Sequence, residues 1–132
     1  MTTATAIQDA LDAAVVAAFS ASPAILFAMP NEDSTELSEG HEFYVTVRLL
    51  FNESKKTSLG CDLKRRTGVL QFVLHQRDGT GTRSSVLAYE RIDSAFVDQY
   101  IGGATLTSLS FIASTEAAGW KQTAYQIPFW FE

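Results

Sequence analysis

Residues 42–51 read Glu42-Phe43-Tyr44-Val45-Thr46-Val47-Arg48-Leu49-Leu50-Phe51. Phe43, Val45, Val47, Leu49 and Phe51 alternate with Tyr44, Thr46, Arg48 and Leu50. Period-two alternation rich in β-branched and aromatic residues predicts a strand. Its second face is mixed rather than polar, which suggests contact with another layer or another chain. A second strand is predicted at 66–76, where Leu70, Phe72 and Leu74 stand opposite Val69, Gln71, Val73 and His75. The two flank residues 52–65, which have no consistent periodicity, and are expected to pair antiparallel as a long-looped hairpin.

Outward from this pair, helices and further strands are predicted on both sides. Ala4 to about Ser20 reads as a helix, with Ile7, Leu11 and Val15 at i, i+4 and i+8. Ser22-Pro23 ends it, because proline disfavours helical geometry in the preceding residue. Residues 24–28 form a short apolar strand. Pro30–Glu42 is an acidic loop. After the Arg77-Asp78-Gly79-Thr80-Gly81 break, a helix to about Tyr100 is expected, with Val86, Tyr89, Ile92, Phe96 and Tyr100 inward and Gly102-Gly103 as its stop. Strands at 104–112 and 122–131 follow, joined near Ala118-Gly119. Pro128 cannot donate to a ladder, so the last strand is expected at an edge or with a bulge. The expected fold is therefore one α+β domain spanning 1–132, with a mainly antiparallel sheet and two helices packed on one face. Its order is αβββαββ, with long loops at about 30–42 and 52–66.

The chain has 132 residues, 46% hydrophobic and 19% charged, enough apolar content for a core. Its formal net charge is −5, which argues against a globally basic nucleic-acid binder. The charge is segregated, however. Residues 1–43 hold seven acids and no lysine or arginine, a net −7; residues 44–91 net +5, and 92–132 net −3. Cys61 is the only cysteine, so no intrachain disulfide is expected. A secretory signal needs a basic n-region, and the first basic residue is Arg48. The apolar run 13–19 is too short for a bilayer, which takes about 20 residues. These features lead to the expectation of a soluble intracellular chain with no membrane partner.

No catalytic or cofactor motif is legible. Gly79-Thr80-Gly81 has Ser84 where a dinucleotide fingerprint needs a third small glycine or alanine, and Gly81-Thr82-Arg83 lacks the lysine of a phosphate loop. A tight turn with Thr80 or Thr82 capping the next helix is the expected role. His41, His75 and Cys61 lack metal-ligand spacing, and the acids at 32–42 do not match a calcium loop. Two features stand above background. One is the basic set Lys55, Lys56, Lys64, Arg65 and Arg66, set against the acidic residues Glu32, Asp33, Glu36 and Glu39. The other is the aromatic ending Phe129-Trp130-Phe131, which is either ordinary core or a subunit interface. Both are candidate oligomer or partner surfaces.

Together, Tyr44–Asn52, Lys64-Arg65-Arg66-Thr67-Gly68-Val69-Leu70-Gln71, the Gly79-Thr80-Gly81 helix start and the Trp120…Ile127-Pro128-Phe129 strand resemble the tail terminator (tail-completion) proteins of long-tailed bacteriophages. That family commonly places a lysine before Gly-x-Gly, where this chain has Arg77-Asp78. The resemblance implies a homo-oligomeric ring, usually a hexamer, with no cofactor and no catalysis. Such a ring caps the tail tube, meets the head or neck connector, and lets DNA pass without sequence-specific contact. It implies a virion location at the head-proximal end of the tail, after assembly in the host cytoplasm. Another connector or minor tail protein is the alternative within that class. A small ligand-binding module or enzyme is the alternative outside it.

Overall fold

The computed structural model describes residues 3–21, 24–29, 41–52, 55–56 and 64–132. Helix α1 spans Ala4–Ser20, and Thr3 caps it by accepting from the Ala6 amide at 3.1 Å. Strands β1 (Phe27–Ala28), β2 (Phe43–Phe51), β3 (Lys55–Lys56) and β4 (Lys64–Arg77) follow. Helix α2 spans Arg83–Phe96, and β5 (Tyr100–Ile101), β6 (Ala104–Leu106), β7 (Ser110–Ala117) and β8 (Trp120–Phe131) complete the chain.

The sheet runs β1-β2-β4-β8-β6-β5, with β7 beside the first half of β8 and β3 beside the start of β4. The expected hairpin forms: β2 and β4 pair antiparallel from Phe43↔Gln76 to Phe51↔Gly68. Among the described residues every long pairing is antiparallel, and only β1 with β2 is parallel. Both helices pack on one face of this sheet. Ile7, Leu11, Val15 and Phe19 from α1 and Ala88, Ile92 and Phe96 from α2 meet Val45, Val47, Leu70, Phe72, Leu74, Ile127 and Phe129 in one core. Arg91 on α2 donates to the carbonyls of Ala18 and Ala21 at 3.3 and 2.9 Å. That bridges the helices and satisfies carbonyls which the end of α1 leaves without intrahelical partners.

Several expectations change in detail. Helix α2 ends at Phe96, four residues early. Val97 is extended and Asp98 has φ 56°, which turns the chain back so that Leu106 N donates to Gln99 O at 2.8 Å. Gly102-Gly103 therefore forms the β5–β6 turn rather than a helix stop. A Cβ on Gly102 would strike the Ala10 side chain, so that turn lies directly on α1. The buried side of α2 is Ala88, Ile92 and Phe96, at i, i+4 and i+8; Val86 and Tyr89 lie off that line and are exposed. Segment 104–112 is divided between β6 and the start of β7. Residues 55–56 and 64–65, expected as loop, pair as β3 with the first residues of β4.

Pro128 lies in a central strand, not at an edge, since β8 pairs β4 along its whole length. Its carbonyl accepts from Thr107 N and Oγ1 at 2.9 and 2.8 Å. Its nitrogen faces the same side, in the gap where the neighbour of β8 changes from β7 to β6. The missing donor thus falls where the ladder is already interrupted.

Candidate functional site

The alternation in β2, β4 and β8 gives the sheet two unlike faces. One is the core. The other carries no helix among the described residues, and its rows are Tyr44–His75–Gln122–Thr115, Thr46–Val73–Ala124–Ala113 and Arg48–Gln71–Gln126–Ser110. The four long strands contain six bases and one acid, Glu116, in a chain of net charge −5. Glu116 stands opposite Lys121 in the row that faces the helices. The helix-free face therefore has Arg48 and Arg77 and no carboxylate within its strands. Mixed composition on the second face of β2 was the sequence signal for this surface; its freedom from acids shows only when the strands are placed side by side.

At one end of that face, the Arg77 guanidinium lies 4.5 Å from the Trp120 ring centroid, and Trp120 meets Tyr44 edge-on at 5.3 Å. Tyr44 stacks on His75 with centroids 4.3 Å apart and planes 6° apart. Nε2 of His75 lies 3.0 Å from Thr46 Oγ1, while Nδ1 is buried without a partner in the structure. Desolvation pushes the imidazole down from 6.5 to about 4, so it is neutral at physiological pH. His75 therefore lies on the helix-free face but buried under an aromatic cover.

The Gly79-Thr80-Gly81 turn is structural. Both glycines have φ 83°, and a Cβ at either would meet nothing within 4 Å, so backbone conformation rather than space favours glycine. Neither expected threonine cap forms. Thr82 sits at the N-cap of α2 without a side-chain cap bond. Thr80 Oγ1 instead donates to Arg77 O at 2.6 Å and pairs with the Gln76 amide, whose Oε1 accepts from Ser85 at 2.9 Å. Among the described residues, no group of three or more His, Cys, Asp and Glu could hold a metal ion. No described helix is long and apolar enough to cross a membrane.

The residues singled out from sequence separate clearly. Glu32, Asp33, Glu36 and Glu39 lie outside the described residues. Lys55, Lys56, Lys64 and Arg65 are brought together along the backbone, with Lys55↔Arg65 and Lys56↔Lys64 as ladder partners. Arg66 lies over the Phe131 ring at 5.3 Å. Phe129 and Phe131 are 2% and 1% exposed inside the chain's own core, the first of the two roles that the sequence left open for them. Trp130, on the opposite face, is half-buried.

Sequence reasoning missed the β7–β8 hairpin as a surface feature. Its Ala118-Gly119 turn has positive φ at both positions (53° and 83°), as a two-residue hairpin of matching twist requires. All eight residues of β7 are exposed, Phe111 by 61%. Phe111 and Tyr89 flank Tyr125 at 6.0 and 5.3 Å, forming an aromatic cluster between the hairpin and α2. Its signal was present in Val86 and Tyr89, which were read as core because they repeat at helical spacing.

No curated protein matches this sequence. A solved structure aligns with a TM-score of 0.75 and 18% identity, covering 98% of this chain and 96% of the other, and that likeness speaks for the fold. The sequence profile described as phage tail terminator protein matches residues 6–128, nearly the whole of the helix-covered sheet, and the chain belongs to that family of structural tail proteins.

Proposed function

We propose that copies of this chain close into a ring, a hexamer as the resemblance implied, at the head-proximal end of the phage tail. The ring ends growth of the tail tube and offers its other side to the head or neck connector. It is assembled in the host cytoplasm, needs no cofactor and catalyses nothing. Family membership along residues 6–128 carries this reading. The charge pattern supports it, because a ring closes through two different surfaces on each subunit. The acidic 32–42 segment of one copy then faces the basic 55–66 segment of its neighbour or of the tube.

DNA passing through such a ring meets it through phosphates, without base readout. The absence of carboxylates from the strands of the helix-free face favours that face, with Arg48 exposed on it, as the lining. The test is native mass spectrometry of the full chain, followed by its addition to growing tail tubes. A ring that halts elongation is the expected result. Continued elongation in the presence of a formed ring refutes the capping role. Nonspecific DNA binding that weakens with salt, and weakens further in Arg48→Glu, is expected of the lining; equal binding by the variant refutes it.

A further inference from the structure

Two of the sheet's backbone edges that lack a strand neighbour among the described residues belong to its long strands. On one side, β1 covers β2 only at Val45 and Thr46, so the outward backbone of Leu49 and Phe51 has no strand beside it. On the other, β7 uses one edge for β8 and leaves the second open from Ser110 to Ala117. Sheets usually blunt a long edge with lysine, proline or a very short strand. Strand β7 has eight residues with no proline and no lysine; its departures from a smooth edge are the bulge between Phe111 and Ala113 and the single charge Glu116. Both edges also expose apolar side chains: Phe111 by 61% and Ile112 by 42% on β7, Leu50 by 47% and Phe51 by 39% on β2.

The two edges match in direction, side and position. Strands β2, β4, β8 and β7 alternate in direction, and four is an even number. A second copy placed alongside by a rotation that preserves strand direction therefore brings its β2 antiparallel to β7. Leu49 and Phe51 lie on the helix-bearing side, as does Phe111. On that side a cavity of about 260 Å³, lined by Ser85, Val86, Tyr89 and Tyr125, has room for an aromatic side chain. Ser114 stands in the row of Val45, and Leu49 is four residues further along β2. Pairing the two edges thus needs a stagger between copies, which tilted strands of a closed barrel supply.

The geometry points to a head-to-tail contact between copies of this chain, in which β7 of one subunit pairs antiparallel with residues 48–51 of the next. The partner subunit's Phe51 then seats against Tyr89, Phe111 and Tyr125. This inference rests on the ring reading and names the seam of that ring.

The test places cysteines at Ala113 and Leu50, both on the helix-free side, in a Cys61→Ser background, with a short thiol cross-linker. Each single variant is expected to give no cross-linked species, their mixture dimers only, and the double variant a ladder up to the ring. Dimers from Ala113→Cys alone overturn the proposal in favour of a two-fold β7–β7 contact. An intact ring without any cross-linking overturns the seam but leaves the ring standing. A parent chain that stays monomeric at every concentration, with no ladder, overturns both. As a second variant, Ser114→Pro removes an amide that points away from β8 by alternation from the Ala117↔Trp120 pair closing the two-residue hairpin. It is expected to weaken assembly at least tenfold while the melting temperature of the dilute, unassembled chain stays unchanged; undiminished assembly overturns the seam.

Discussion

Substitution of Gly68 by alanine tests the packing that holds the middle of the sheet together. Gly68 lies between Phe51 on β2 and Phe129 on β8 in the ladder. The Phe129 ring lies over the space a side chain would fill and meets Phe51 edge-on at 5.9 Å. A Cβ on Gly68 would fall 2.6 Å from the Leu50 carbonyl oxygen and 2.9 Å from Phe129 Cε1. Optimal carbon contacts need about 3.5–4.0 Å. The ring can tilt, but the Leu50 carbonyl is backbone and part of the β2–β4 ladder. Overpacking of this kind costs about 1–3 kcal/mol. Alanine also narrows the unfolded ensemble, which offsets about 0.4–1 kcal/mol and leaves a net loss near 1–2 kcal/mol. For 132 residues the unfolding entropy is about 0.28 kcal/mol/K, so the melting temperature should fall by about 4–7 °C. Calorimetry at one fixed protein concentration measures this, since assembly also shifts the transition. Adding Phe129→Leu should not restore the parent value, because the clash with Leu50 remains. An unchanged or raised melting temperature for Gly68→Ala would refute the argument.

Two further outcomes follow from the helix-free face and the basic segment. His75 is depressed from 6.5 to about 4 in the folded chain, so the unfolded state takes up its proton first as pH falls. Its contribution is full above pH 6.5 and is lost on acidification towards pH 4, amounting to about 2 kcal/mol between pH 7 and pH 5. Denaturant unfolding across that range should show this slope in the parent and a flatter one in His75→Gln; parallel slopes would contradict the account. Reversing Lys64 and Arg65 to glutamate should reduce ring formation and tail joining, most strongly at low salt. Arg66 is best left intact, because its guanidinium lies over Phe131 and its loss would disturb the fold as well. A reversed variant with unaltered ring mass and tail joining would remove the acidic-to-basic loop pairing from consideration.

The legible part of the fold was whatever local periodicity determines. The 43–51 and 66–76 alternation fixed a hairpin whose core side is Val45, Val47, Leu70, Phe72 and Leu74, and the Ile7–Leu11–Val15 spacing fixed α1. Less legible were positions where tertiary placement decides. Val86 and Tyr89 have the spacing of a core stripe, yet a helix shows its neighbours a single line, and here that line runs through Ala88, Ile92 and Phe96. Pro128 was read against strand pairing in general. Its tolerance depends on where β7 gives way to β6 along β8, a fact about non-local neighbours. Phe129 and Phe131 look like a sticky terminus in sequence because nothing local shows that β4 and Phe51 of β2 lie against them.

The candidate surfaces were harder still, for a related reason. A core residue is recognised by what it has in common with its own strand, whereas a surface acquires its character across strands. Fourteen of the fifteen acids lie outside the four long strands, and they dominate the average. Only the ladder sets Arg48, Gln71, Gln126 and Ser110 in one row and sends Glu116 to the opposite face. The same division separates the two kinds of perturbation. Changes at Gly68 or Phe72 act on stability through the core, while changes at Arg48, Ser114 or Lys64 alter no described core contact. A variant of the second kind that loses function while its unassembled chain keeps the parent melting temperature therefore reports on assembly rather than on folding, and this lets the ring, its seam and its lining be tested one at a time.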